Sequence, residues 1–135
     1  MTIIKGASIK EDNSELIKAR SLNLEIYEYN EMVGILSRQF KTICVAGCHG
    51  KTTTTNMLSL ALNTRGVSYL IGDGTGYANK ESKYFALESC EYKRHFLEYS
   101  PNLVLLDVMI PGIDVIDVLK WIRKQGEVPI IMLTA

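Results

Sequence analysis

The length, composition and charge of the chain are those of an ordinary globular protein. Its 135 residues suffice for one domain with a hydrophobic core, or for two incomplete pieces. Hydrophobic residues make up 47% of the chain and charged residues 22%, and 15 basic residues balance 15 acidic ones. The zero net charge gives no support for a nucleic-acid partner, and no block of like charge suggests an interaction tail.

Hydropathy and cysteine content predict a cytoplasmic protein without a membrane partner. The longest nearly apolar stretch, Leu103 to Pro111, is too short to span a bilayer and contains Asp107. The residues after Met1 lack the apolar core of a signal peptide. The cysteines are three in number, without CxxC spacing, which favours reduced thiols over disulfides or a metal site. They are Cys44, Cys48 and Cys90.

Short β-branched or apolar runs alternate with segments of helical periodicity along the whole chain. This alternation predicts an α/β fold with a mostly parallel sheet and flanking helices. A continuous apolar run such as LVLLD is typical of a strand buried on both faces of such a sheet. The predicted elements, in chain order, are strand Thr2–Lys5, helix Asn13–Arg20, strand Glu25–Tyr29, helix Asn30–Arg38, strand Thr42–Ala46, helix Thr52–Thr64, strands Val67–Ile71, Tyr84–Glu88 and Leu103–Asp107, helix Asp114–Gln125 and strand Pro129–Leu133.

The stretch Thr42 to Thr55, TICVAGCHGKTTTT, predicts a P-loop-like strand-turn-helix. A strand that ends in a glycine turn and leads into a helix directs backbone N–H groups at one point, which suits an anion. Lys51 adds a positive charge for phosphates, and the Thr52 hydroxyl is placed to bind Mg²⁺. The spacing is the short form GxxGKT, Gly47 to Thr52, because the longer GxxxxGK[ST] motif would need a glycine where Val45 stands.

This short motif resembles the ATP-binding loop of the Mur ligases, the ATP-dependent amide-forming enzymes of peptidoglycan synthesis. The histidine before GKT is most similar to the branch that adds L-alanine to UDP-N-acetylmuramate. The resemblance continues in YLIGDGTGYANKESKYFALESCEYKRHFLEYSPN, Tyr69 to Asn102, and in TIIKGASIKEDNSELIKARSLNLEIYEYNEMVG, Thr2 to Gly34. It implies a nucleotide and UDP-N-acetylmuramate as partners, with ATP and Mg²⁺ as cofactors.

The resemblance also implies roles for individual residues. In the family, the muramoyl carboxylate is phosphorylated to an acyl phosphate, which the alanine amine then attacks. Glu88 matches the family's metal-binding glutamate, and a carboxylate at a strand end beside a phosphate turn suits a hard cation. The implied catalytic residues are Lys51 and Glu88; the implied nucleotide-binding residues are Gly47, His49, Gly50, Lys51, Thr52 and Thr53; the implied metal ligands are Thr52 and Glu88.

Three further polar residues in this part of the chain have roles that the sequence does not decide. Arg94 and His95 lie in a family-like segment, where His95 is either a packed or solvent-facing residue or a substrate contact. Asp73, in GDGTG, is either a turn former or a ligand.

After Asn102 the pattern changes and resembles the middle of a response-regulator receiver domain. A strand ends in Asp107, the counterpart of the phosphoacceptor aspartate, and an MxPGxD loop, a helix and a strand ending in Thr134 follow. Val115 stands where the family usually has glycine. The acidic pair and the lysine that a receiver needs have no counterpart, and phosphotransfer would lack charge neutralisation without them.

Asp107 therefore has three interpretations. It is a phosphoacceptor, a Walker B-type carboxylate that holds Mg²⁺ through water beside Thr52, or a residue that caps the following turn.

The pattern suggests a truncated or chimeric chain made of three pieces. Residues 1–38 are the tail of a ligase N-terminal domain, residues 39–102 are the first half of an ATP-binding domain, and residues 103–135 are the receiver-like segment. We expect no independent ligase turnover, since acyl-phosphate chemistry needs aligned and shielded substrates. The alternative function is a chimeric α/β scaffold whose motifs are inherited and support no catalysis. Exposed sheet edges also predict self-association.

Overall fold

The computed structural model of the protein describes residues 1–47, 49–89, 98–107 and 115–133. Within these residues the order of elements is the predicted one, with one additional short strand. The helices are α1 (Ser14–Ser21), α2 (Tyr29–Ser37), α3 (Lys51–Leu62) and α4 (Val115–Gln125), and a 3₁₀ turn covers Asn63–Arg65. The strands are β1 (Thr2–Lys5), β2 (Glu25–Glu28), β3 (Lys41–Ala46), β4 (Val67–Leu70), β5 (Gly76–Tyr77), β6 (Tyr84–Glu88), β7 (Leu103–Asp107) and β8 (Ile130–Leu133).

The predicted boundaries are confirmed for β1, β6 and β7 and shift slightly elsewhere. Helix α2 begins at Tyr29 instead of Asn30, because Glu28 and Glu31 form a capping box around its first turn. Helix α3 begins at Lys51 instead of Thr52, because Gly50 is its N-cap residue. Strand β5 was not predicted, since two residues after a glycine-rich loop carry no recognisable alternation.

Six strands form one sheet in the order β5-β4-β6-β3-β7-β8. All neighbouring pairs are parallel except β4 with β5, which is antiparallel. Strands β1 and β2 form a separate parallel pair. The α/β fold with a mostly parallel sheet and flanking helices is therefore confirmed.

Strand β3 occupies the interior of the sheet, and the chain departs from it in both directions. From β3 the chain crosses to β4 and returns through β6; it then passes to β7 on the other side of β3 and on to β8. Ligands of open α/β sheets bind at the carboxyl ends of the strands, where the strand order reverses in this way. The topology therefore indicates a candidate binding site at the carboxyl ends of β3, β6 and β7.

Two apolar clusters hold helices against this sheet. The first packs α2 against β3 and β6, and the second packs α4 against β7 and β8. Burying one large aliphatic or aromatic side chain contributes about 1.5–3 kcal/mol, so both clusters stabilise the sheet. The buried members of the first cluster are Val33, Cys44, Phe85, Leu87 and Tyr99, and those of the second are Val104, Leu106 and Ile122.

The join at residues 98–102, where the sequence pattern changes, is bonded into the same sheet. The Asn102 side-chain oxygen accepts from the Thr42 N–H at 2.8 Å, and the Asn102 N–H donates to the Thr42 carbonyl at 2.8 Å. The Ser100 N–H donates to the Ser37 hydroxyl oxygen at 3.0 Å. The sheet therefore continues across the join, whereas the division at 1–38, 39–102 and 103–135 stays a prediction.

Strand β8 forms one edge of the described sheet. Ile131 and Met132 on this strand are 51% and 44% exposed, and uncharged edge strands favour pairing with another chain. Self-association through this edge stays a prediction. In the described residues, no helix combines the length and hydropathy needed to cross a membrane.

The bonding at the join yields a stability test. Thr42 is fully buried, so Asn102→Ala leaves its N–H without the side-chain acceptor and should lower the free energy of unfolding by about 1–3 kcal/mol. Urea unfolding followed by circular dichroism measures the change. Asn56→Ala, on the exposed side of α3, is the matched control and should change it by less than about 0.5 kcal/mol. Equal effects of the two substitutions would contradict this account of the join.

Candidate functional site

The loop between β3 and α3, residues 47–50, contains two glycines with positive φ. Gly47 has φ 140° and Gly50 has φ 69°, conformations that strain a residue with a Cβ atom. Because Gly50 is the N-cap residue of α3, the first N–H groups of that helix face the loop. The glycine turn expected from the sequence is therefore present, and its shape requires both glycines.

Gly47 also lies against Asp107 at the end of β7. The parallel register pairs Ala46 with Leu106, which makes Gly47 and Asp107 the next residues along neighbouring strands. A Cβ added to Gly47 would lie 2.3 Å from the Asp107 Cβ and 3.2 Å from its Cα. The carboxylate-bearing residue therefore packs directly on the loop, and only glycine fits at position 47.

Lys51, the first residue of α3, is half-buried and folds back over the loop. Its Nζ donates to the Gly47 carbonyl oxygen at 2.5 Å. One turn later, the buried Thr55 hydroxyl donates to the Lys51 carbonyl at 2.8 Å. The ammonium group is thus held at the mouth of the loop, where it faces any anion bound there.

Glu88, at the end of β6, is contacted by a residue of α3 and by a residue of the loop after β4. The Thr52 hydroxyl donates to its carboxylate, at 3.1 Å from Oε2 and 3.3 Å from Oε1. The Gly72 N–H donates to Oε2 at 2.8 Å. Thr52 lies in the first turn of α3 and Gly72 in the loop after β4, so two separate parts of the chain hold the carboxylate.

The glycine-rich loop 71–76 is ordered by its own hydrogen bonds. The Thr75 N–H donates to Asp73 Oδ1 at 2.8 Å, and the Ile71 N–H donates to the Thr75 carbonyl at 2.9 Å. The Thr75 side-chain and backbone hydrogen bonds lower the pKa of Asp73. Of the two interpretations of Asp73, the structure shows the turn former.

The charges at this edge of the sheet are of both signs. The carboxylates of Glu88 and Asp107 and the ammonium of Lys51 are all half-buried, and the first turn of α3 carries no acidic residue. A helix N-terminus and an ammonium favour an anion, whereas carboxylates favour a cation. Within the described ranges, no cluster of three or more His, Cys, Asp or Glu side chains suits a metal, so a cation here would also need hydroxyl oxygens or oxygens from a ligand.

Buried beneath the loop, Cys44 on β3 is chemically protected. Its side chain is 2% exposed, and burial raises the pKa of the thiol to about 12, although a hydrogen bond with Ser89 opposes the shift. The Ser89 N–H donates to the Val45 carbonyl at 2.9 Å, which extends the pairing of β6 with β3 beyond Glu88. This packing fixes the strand ends that carry the site.

The structure brings most of the predicted site residues together. Gly47, Lys51 and Asp107 form one group of contacts, and Thr52 forms another with Glu88. His49 and Thr53 are exposed beside the loop, and their predicted contacts with a nucleotide stay predictions. Other predicted residues lie outside the described part of the chain: Cys48, Cys90, Arg94, His95, the MxPGxD loop and Thr134.

Sequence reasoning missed the role of Gly72. The motif GDGTG indicated a loop, but the contact with Glu88 depends on β4 and β6 being neighbours, which the chain order β4, β5, β6 does not reveal. The signal that could have found it is the placement of a glycine directly after a predicted parallel strand, where backbone commonly approaches a ligand or a side chain.

Comparison with solved structures identifies the fold. The chain is similar to UDP-N-acetylmuramate:L-alanyl-γ-D-glutamyl-meso-diaminopimelate ligase from Neisseria meningitides, with a TM-score of 0.66 and 16% identity over 97% of this chain and 57% of that one. It is also similar to a murein peptide ligase from Psychrobacter arcticus 273-4, with a TM-score of 0.64 and 18% identity over 98% of this chain and 40% of that one. No protein-family model matches.

These comparisons show a Mur ligase-like fold. Because nearly all of the chain is covered, the likeness includes most of residues 103–135, and the receiver interpretation of that segment gains no support. The chain spans 57% and 40% of the two ligases' lengths, so it corresponds to part of such an enzyme.

The protection of Cys44 yields a chemical test. At pH 8 a thiol with a pKa of about 12 has almost no thiolate, the form that reacts with iodoacetamide. We expect Cys44 in the folded protein to be alkylated at least about 100-fold more slowly than in urea, measured by tandem mass spectrometry. The unfolded thiol ionises from about pH 8.5, so this residue's contribution to stability is complete below that pH and is lost as the pH rises toward 12. Rapid native alkylation of Cys44 would contradict the packing described here.

Proposed function

We propose that the loop 47–52 binds the phosphates of ATP together with Mg²⁺, as the nucleotide-binding part of a ligase that forms an amide bond at UDP-N-acetylmuramate. One observation carries the proposal. The Thr52 hydroxyl and the Glu88 carboxylate lie 3.1 Å apart beside a glycine turn that opens a helix, a combination of oxygen ligands and phosphate-facing N–H groups.

The residues present fit a magnesium ion accompanied by phosphates. Mg²⁺ prefers oxygen ligands and is commonly bound by one or two carboxylates plus substrate phosphates. Thr52 and Glu88 supply a hydroxyl and a carboxylate, and Asp107, packed on the loop at Gly47, would act through water. When bound, the ion would neutralise phosphate charge beside the two carboxylates, which would otherwise repel the nucleotide.

Each remaining residue has a role in binding. Lys51 would exchange its contact with the Gly47 carbonyl for a phosphate oxygen, and its charge would follow the phosphoryl group during transfer. The loop and the first turn of α3 would surround the phosphates with four further residues: Gly47, His49, Gly50 and Thr53.

In the complete reaction, a muramoyl carboxylate receives the γ-phosphoryl group of ATP, ADP leaves, and an amine displaces phosphate from the acyl phosphate.

Two amines are candidates for the second substrate. His49 before GKT supports L-alanine, on the resemblance described above. The Neisseria enzyme's name specifies L-alanyl-γ-D-glutamyl-meso-diaminopimelate as the group joined to UDP-N-acetylmuramate, which supports a peptide as the second candidate. Both begin with alanine, so both would form a bond between the muramoyl carbonyl and an alanyl nitrogen. The proposed reaction would take place in the cytoplasm, because its substrates are ATP and UDP-linked precursors.

We propose further that the 135 residues bind nucleotide without turnover on their own. The two similar ligases are considerably longer than the part that this chain covers. Alignment of two substrates and exclusion of water require walls around the acyl phosphate. A search for ADP release in the presence of UDP-N-acetylmuramate and L-alanine should therefore detect none above background.

Nucleotide binding gives the direct test. Lys51→Ala should weaken binding of Mg·ADP by about 10- to 100-fold, since it removes a charge-assisted contact with phosphate, as measured by calorimetry. Lys41→Ala is the matched control, because Lys41 begins β3, at the end of that strand opposite to the loop, and is exposed; the dissociation constant of this variant should match that of the wild type.

Two other interpretations predict different results. Equal and negligible binding by the wild type and Lys51→Ala would leave an idle scaffold. Labelling by acetyl phosphate that Asp107→Asn removes would favour a receiver-like phosphoacceptor. Under the ligase proposal, Mg·ADP binds and acetyl phosphate does not label Asp107.

A further inference from the structure

The carboxylate of Glu88 lies so close to the backbone of Gly72 that a side chain at position 72 would collide with it. A Cβ added at Gly72 would lie 2.6 Å from Glu88 Oε1, 2.8 Å from Cδ and 3.1 Å from Oε2. These distances are well inside van der Waals contact, and the neighbours are the carboxyl group itself. A side chain at position 72 would therefore displace the Glu88 carboxyl group. The backbone of Gly72 is not itself strained, because its φ lies outside the left-handed range.

The contact also fixes a direction. The Gly72 N–H donates to Glu88 Oε2 at 2.8 Å, and the Thr52 hydroxyl donates to the same oxygen at 3.1 Å. One donor is in the loop after β4 and the other in the first turn of α3, so together they restrict the rotation that an isolated glutamate would have and keep the carboxylate beside Thr52.

The loop that presents Gly72 is itself tied down. Asp73 accepts from the Thr75 N–H, and the Gly74 N–H donates to the Ile71 carbonyl at 3.1 Å. Strands β4 and β5 then pair antiparallel directly after the loop. The Gly72 N–H is thus fixed in space independently of Glu88, which is the property a positioning group requires.

We propose that Gly72 is a positioning residue that orients Glu88 for a divalent cation shared with Thr52. The inference rests on the proposed function for the role of that cation, and it adds the loop after β4 to the site. Outer groups that orient a metal ligand commonly contribute 10- to 100-fold in metal affinity. Substitution of Gly72 should therefore lower the affinity for the cation without unfolding the protein.

Manganese alone provides the probe, since Mn²⁺ takes the same oxygen ligands as Mg²⁺ and broadens nearby amide resonances. In ¹⁵N-labelled wild-type protein, added Mn²⁺ should broaden the amides of Thr52, Gly72 and Glu88 before those of α4. In Gly72→Ala, the Mn²⁺ concentration for half-broadening should rise by about 10-fold or more. A merely structural role for Gly72 would not move this concentration in a folded variant.

Gly76→Ala is the matched control in the same hairpin. A Cβ there meets only ordinary contacts, Leu70 Cδ1 and the Tyr69 carbonyl oxygen at 3.6 Å, so its Mn²⁺ response should equal that of the wild type. Asp73→Ala serves if Gly72→Ala does not fold. It removes the acceptor that orders the turn without adding an atom beside Glu88, and it should raise the half-broadening concentration by at least about threefold.

The outcomes separate this inference from the proposed function. A wild-type response that Gly72→Ala, or Asp73→Ala in its place, retains at full strength overturns the inference, as does a wild type in which those three amides do not respond. Nucleotide titration then reports independently. If the amides respond to Mn²⁺ as expected and neither Mg·ATP nor Mg·ADP binds, the inference stands and the nucleotide proposal fails. If nucleotide binds and the variants respond to Mn²⁺ like the wild type, the nucleotide proposal stands and the inference fails.

Discussion

The position of β3 between β6 and β7 is the constraint on which the site depends. Parallel pairing ends the three strands at the same end of the sheet, so that Gly47, Glu88 and Asp107 all lie there although they are far apart in sequence. The contact between Gly47 and Asp107 leaves no space for a side chain at position 47. The loop shape, the start of α3 and the place of both carboxylates all follow from this pairing, which the packing of α2 and α4 supports.

Electrostatics then limits what the edge can bind. The N-terminus of α3 and Lys51 favour an anion, and the carboxylates of Glu88 and Asp107 oppose one. A phosphate accompanied by a divalent cation satisfies both sets of charges at once. The hydrogen bonds that hold Glu88 between Thr52 and Gly72 indicate that the cation side of the site is already organised by the protein.

Much of this arrangement could be predicted from the sequence, and the limits have physical causes. The runs TICVA and LVLLD identified buried parallel strands, and GKT after a strand identified the loop, because these patterns are local. The neighbour relations between β4 and β6 and between β3 and β7 are not local, so the contacts of Gly72 with Glu88 and of Gly47 with Asp107 emerged only from the sheet order. The receiver-like pattern after Asn102 describes a strand-helix-strand unit that many parallel sheets share, which is why it fits a Mur ligase-like fold equally well.

The central claim is that an anion binds where the loop meets α3. Amide chemical shifts during a titration of the ¹⁵N-labelled protein with Mg·ADP measure this most directly, because each backbone N–H reports its own environment. The account predicts that the largest shift changes fall on Gly50, Lys51 and Thr52, with smaller changes at Gly72 and Glu88 and none along α4. Changes confined to other parts of the chain, or none at saturating nucleotide, would contradict it.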